Sequence, residues 1–149
     1  MPEKKTIERA REDARQGKAP STQAGEFVHE EIQHIRQGKH GARSTKQAIA
    51  IGLSKARRAG VKLPPPKSGK ASASTRAKAA RDYNKGRSKG QKPSATRSRA
   101  ISAALKREGR QAASQQNLSR QAHSSARSRG ASNRSRAADK AARTRAAGR

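Results

Sequence analysis

The run His29-Glu30-Glu31-Ile32-Gln33-His34 carries the residue types of a metal-dependent hydrolase helix: two imidazoles to hold zinc and a carboxylate to act as base. That chemistry needs both imidazoles on one face, as in H-E-x-x-H. Here they are five residues apart, which turns them about 140° from one another around a helix. The spacing therefore predicts no metal site, with His34 at the edge of an apolar stripe and His29 in solvent. The run Gly38-Lys39-His40-Gly41-Ala42-Arg43-Ser44-Thr45 offers glycines, a lysine and hydroxyls, but not in the order of a P-loop, and no apolar strand precedes it. It reads as a helix connection. In the alternative, as a loop before a helix N-terminus, it would meet a phosphate through backbone N–H groups, Lys39 and Arg43.

No acid, base and nucleophile converge in the pattern, and the absence of cysteine removes thiolate catalysis, disulfides and Cys-ligated zinc. The expectation is a protein that is not an enzyme, with no catalytic, cofactor-binding or metal-ligating residues. What the chain has in excess is positive charge: 37 Lys or Arg against 10 Asp or Glu, a formal net charge of +27. Such a chain is suited to phosphate, because each cation that neutralises a backbone phosphate releases a condensed counterion. The candidate phosphate contacts are Lys39, Arg43, Lys46, Lys55, Arg57, Arg58, Lys106, Arg107 and four Arg-Ser/Thr-Arg tripeptides. The tripeptides pair Arg97 with Arg99, Arg127 with Arg129, Arg134 with Arg136, and Arg143 with Arg145. The arginine fork donates two hydrogen bonds to one phosphate, and the hydroxyl between them adds a third contact; an Arg, Ser and Ala-rich composition also produces such tripeptides by accident. With one Phe, one Tyr and no Trp, the chain lacks the stacking platforms that read unpaired bases.

The elements that must carry these residues divide at Pro64, Pro65 and Pro66, a run that forbids helix and makes a semi-rigid spacer. Before it lie 10 of the 13 Ile, Leu, Val and Phe residues and a net charge of +7; after it the net charge is +20. Three segments of the first half read as helices, each stopped by a glycine at Gly17, Gly38 and Gly60. The first spans about Thr6 to Gln16. The second, about Thr22 to Gln37, sets Ala24, Phe27, Val28, Ile32 and Ile35 on one face, and its other face is acidic enough to repel phosphate or pair with basic segments. The third, Thr45 to Ala59, opens on a capping box of Ser44 and Gln47. Its small series Ala48, Gly52, Ala56 and Gly60 predicts close approach of a neighbouring backbone, and its opposite side carries Lys46, Lys55, Arg57 and Arg58, with Ile51 stranded among them as a candidate partner contact.

The stretch from Lys46 through Gln47-Ala48-Ile49-Ala50-Ile51-Gly52-Leu53-Ser54-Lys55-Ala56 to Arg57, continuing through Gly60 to Pro64 and preceded by Gly38-Lys39, resembles the signature of the bacterial domain of unknown function 6496 family. With Ser21 to Glu31 and the basic second half, the chain also resembles short proteobacterial proteins labelled plasmid stabilization protein. The resemblance implies a bacterial setting and a helical module, and carries no catalytic residue. Family members commonly have an acidic residue where this chain has Lys55.

The expected fold is all-α: a small helical hairpin or three-helix unit over 1–63, the proline spacer 64–66, and a largely disordered, partly helical basic tail over 67–149. Only Thr75 to Lys85 and Thr96 to Glu108 are expected to be helical in that tail, because Ala dominates its apolar content and buries little area. No segment reads as a secretory signal or a membrane span, which places the protein in the cytoplasm. The leading functional expectation is sequence-nonspecific nucleic-acid binding, DNA before RNA, by a nucleoid-associated or histone-like protein. The alternative makes the helical module an interaction or oligomerisation unit of a plasmid or stress maintenance system, with the tail only localising it. A ribosomal or structured-RNA partner is the third.

Overall fold

A computed structural model of the chain describes residues 1–88 and 94–148. The described residues contain seven α-helices: α1 (Lys4–Arg15), α2 (Pro20–Arg36), α3 (Thr45–Arg58), α4 (Ala73–Arg87), α5 (Ala95–Arg107), α6 (Gln115–Ser128) and α7 (Ala131–Ala147). The chain forms two compact units, Met1–Ser114 and Gln115–Arg149.

The first three helices follow from their stop signals. Gly17, Gly38 and Gly60 all sit at positive φ, and each closes a paired reverse turn: Gly38 N–H donates to Ile35 O and Lys39 N–H to His34 O, for instance. Ser44 caps α3 by accepting from Gln47 N–H at 3.2 Å. The return half of that box reaches one residue further back, since Gln47 Oε1 accepts from Arg43 N–H at 2.7 Å.

α1 and α3 both pack on α2. The core they enclose is built on Phe27, Ile35, Ala24, Ala48 and Ala56, all 0–1% exposed. Ala replaces bulk with proximity. A Cβ placed on Gly52 would lie 2.6 Å from Val28 Cα, so the small series of α3 does bring another backbone close, and that backbone is α2. Ile51 is not stranded on the surface but partly buried.

The expected disordered tail is not what the structure contains. Residues 73–87, 95–107, 115–128 and 131–147 are helical, and α4 packs on α3. The chain leaves α3 at the prolines and returns. Ser54 donates to Asp82, Arg58 lies 3.7 Å from the same carboxylate, and Ala79 is buried. Gly86 meets α3 so closely that a Cβ there would stand 1.9 Å from Arg57 O.

The turn after α5 is also part of the first unit. Gly41 N–H donates to Leu105 O and Ala42 N–H to Gly109 O. A short 3-10 turn, Gln111–Ala113, then seats Ala112 and Ala113 in the core, held by Thr45 Oγ1 to Ala112 O at 2.6 Å and Arg36 Nε to Ala113 O at 3.0 Å. The physical reason is composition of another kind: Ala, Arg, Lys and Gln are the best helix formers, Ser72 and Ser94 cap α4 and α5, and small residues let these elements dock without large side chains. The part of the expected tail at 89–93 and residue 149 lies outside the described residues. No helix among the described residues is long and apolar enough to cross a membrane.

Candidate functional site

Two groups of residues could do chemistry, one buried and one exposed. The buried group grows from the acidic side of α2. Glu30 and Glu31 are 6% and 0% exposed, and a carboxylate pair so placed must find cations. α3 supplies Lys55, whose Nζ lies 2.6 Å from Glu31 Oε2 and 3.6 Å from Glu30 Oε1. The turn at Gly38 reverses the chain and brings His40 back to α2, where its Nε2 lies 3.3 Å from Glu31 Oε1. His34, one turn beyond Glu30, places Nδ1 4.0 Å from Glu30 Oε1, and its Nε2 hydrogen-bonds Glu3 Oε1 at 2.9 Å. The His34 and Lys39 hydrogen bonds hold Glu3 below the ordinary carboxylate value.

The arrangement of α2 is only partly the expected one. His29 is exposed, as its position predicted, and His34 is half-buried. The two are not brought together, but His34 and His40 are, with ring centroids 6.1 Å apart and edge to face. Sequence reasoning missed this trio of Glu31, His34 and His40. The signal was present: Glu31 and His34 stand three apart on one helix face, and Gly38 marks the reversal that returns His40 to them.

The exposed group is the set of candidate phosphate contacts, which the structure sorts. Lys46, Arg97, Arg99, Lys106 and Arg107 are exposed. Nothing on α5 is buried. Lys39 and Arg43 are exposed but face carboxylates, Lys39 Nζ 3.2 Å from Glu3 and Arg43 Nε 3.8 Å from Glu108; Arg58 is shared with Asp82. Two candidates are not surface groups. Lys55 is committed to Glu31 and Glu30. Arg57 is 7% exposed, donates to Leu63 O at 3.2 Å and Pro64 O at 3.5 Å, and has its pKa pushed down by burial, an effect partly offset by Asp82. The helical wheel put both on an outer face because it showed neither the α2 carboxylates that meet Lys55 nor the proline run that folds over Arg57.

In the second unit Arg127, Arg129, Arg134, Arg136, Arg143 and Arg145 are exposed along α6, α7 and the turn between them. Several lean on carbonyls of their own unit, such as Arg134 on Ala126 O at 3.0 Å. The Gly38–Thr45 loop does not form a phosphate cradle from its N–H groups: those of Gly41, Ala42 and Arg43 are engaged by Leu105, Gly109 and Gln47.

Residues 3–67 match the model of a family of unknown function, DUF6496. The match takes in α1, α2 and α3 and ends after the prolines, beyond the signature on which the resemblance rested. No curated protein and no solved structure matches the chain.

Proposed function

We propose that this protein binds nucleic acid without sequence preference, duplex DNA before RNA, through exposed Lys and Arg side chains held on helices, and that it is not an enzyme. The observation that carries the reading is the excess of 37 basic over 10 acidic residues, combined with the exposure of the basic groups on α5, α6 and α7. Rigid helical presentation changes the expected mode. Arg99 and Lys106, seven apart on α5, lie on one side of the helix and contact phosphate as a row. The scarcity of aromatic side chains favours duplex over single strands. A bacterial nucleoid location follows from the same affinity, and a part in plasmid maintenance is the reading its resemblance to proteins of that label suggests.

The test is a salt-titrated comparison of duplex DNA, structured RNA and single-stranded DNA on the full chain. The reading expects a dissociation constant of about 10⁻⁴ to 10⁻⁶ M on duplex at physiological salt, independent of sequence and weakening steeply as salt rises. Tighter binding to structured RNA would move the partner to RNA, and no salt-dependent binding to any polyanion would overturn the reading.

A further inference from the structure

The trio, buried at Glu31 and half-buried at His34 and His40, sets lone pairs beside carboxylate oxygens that lack hydrogen bonds. His40 Nδ1 lies 3.0 Å from Gly41 O. A carbonyl oxygen only accepts, so Nδ1 carries the proton, and in the neutral ring Nε2 is a lone pair. That nitrogen lies 3.3 Å from Glu31 Oε1 with no hydrogen bond between them. Glu31 is 0% exposed, and its Oε1 has no hydrogen-bond partner, although Oε2 is bound by Lys55. Two acceptors this close, one of them a buried carboxylate oxygen, repel unless something positive lies beside them.

The same holds one residue pair away. His34 Nε2 donates to Glu3 Oε1, which leaves Nδ1 as the lone pair, 4.0 Å from Glu30 Oε1, also buried without a hydrogen-bond partner. Each histidine thus has its outer nitrogen fixed by a backbone carbonyl or a carboxylate and its inner nitrogen free. Histidines that ligate metals are oriented in this way.

We infer that Glu31, His34 and His40 form a binding site for a divalent transition-metal ion of the zinc class. Ligand atoms offered by the three residues lie within 4.8 Å of one another. Around zinc, with bonds of about 2.0–2.1 Å, tetrahedral ligand atoms stand roughly 3.3 Å apart, and the Glu31 to His40 pair is already at 3.3 Å. Two imidazoles and a carboxylate suit zinc, nickel or cobalt(II) rather than magnesium or calcium. Glu30 Oε1 or water completes the shell. The loop that carries His40 is pinned by Gly41 N–H to Leu105 O, and a Cβ on Gly41 would stand 2.0 Å from Glu108 O. The metal would therefore tie α2 to the α2–α3 loop, and through it to the turn after α5.

The experiment uses the full-length chain, stripped with a chelator and titrated with zinc and, separately, with cobalt(II). The expected result is one ion per chain, a visible cobalt band of tetrahedral intensity, and a zinc-dependent rise in melting temperature. His40→Gln and His34→Gln should each weaken zinc binding at least tenfold and abolish the cobalt band. His123→Gln, in the second unit, should change neither. Both ligand variants are read for helicity, and binding undiminished in folded His40→Gln overturns the site. So does the absence of stoichiometric binding by the unaltered chain. Neither result bears on nucleic-acid affinity.

Discussion

At the scale of single residues, Lys55 changes character most between sequence and structure. On the wheel of α3 it is one more cation beside Lys46 and Arg58, and its neighbours in sequence contain nothing acidic. Its partners, Glu30 and Glu31, are 25 and 24 positions away, so only the packing of α3 on α2 reveals that it neutralises a buried carboxylate pair. Removing one member of a buried ion pair strands the other, at a cost of about 3–5 kcal/mol. Lys55→Met should accordingly lower stability by about 3 kcal/mol in chemical denaturation, whereas Lys46→Met, at an exposed site, should change it by less than about 0.5 kcal/mol. Gly52 is the opposite case, legible in advance because its small neighbours recur every four residues. Ala at 52 would gain about 1 kcal/mol of helix propensity. It would also drive a methyl to 2.6 Å from Val28 Cα, and backbone cannot yield as a flexible side chain does, so overpacking of about 1–3 kcal/mol dominates. Gly52→Ala should lower the urea midpoint; a raised midpoint would mean that α2 and α3 are not in contact there.

At the scale of elements, what the sequence revealed depended on how each helix is stabilised. α1, α2 and α3 carry glycine stops and an apolar period, α3 a serine cap as well, and all three lie within a few residues of their expected bounds. α4 and α5 have propensity and a serine cap but little apolar period, so they were legible as short helices while the docking of α4 was not. α6 and α7 bury no residue, and the one apolar row they offer, Leu118, Ala122 and Ala126 on α6, is small; Ala, Arg and Gln propensity was outweighed by the inference that a chain with few large apolar residues cannot fold. That inference overlooks backbone-to-backbone contact. α4 docks through Gly86 and Ala79 and through a polar clasp of Ser54, Arg58 and Asp82, of which only Ala79 is apolar and it buries little area. Gly86→Ala would place a Cβ 1.9 Å from Arg57 O and should lift the end of α4 from α3. Amide exchange is expected to accelerate across residues 79–87 while α1 and α2 keep their protection. If α4 is as unprotected in the unaltered protein as in the variant, it does not dock.

At the scale of the whole molecule, the charge of +27 is not one reservoir. Part is consumed in pairing with Glu3, Glu30, Glu31, Asp82 and Glu108, and this part is concentrated in the first unit. The unit Gln115–Arg149 has 9 basic residues against Asp139 alone, so little of its charge is neutralised internally and most faces solvent as cations. The two units should therefore differ in what a substitution costs. Arg57→Ala should reduce stability and leave duplex affinity of the folded fraction unchanged, because its guanidinium is buried against Leu63 and Pro64 carbonyls. Arg127→Ala with Arg129→Ala should do the reverse. A chain ending at Ser114 should keep the melting temperature of the first unit and bind duplex more weakly. Each phosphate contact contributes about 0.9 to the slope of log affinity against log salt. Losing the 9 basic residues should therefore flatten the slope by up to about 8. An unchanged slope would place the entire phosphate contact on the first unit, on the exposed cations of α5 and on Lys46 at the start of α3, and would remove the second unit from the binding surface.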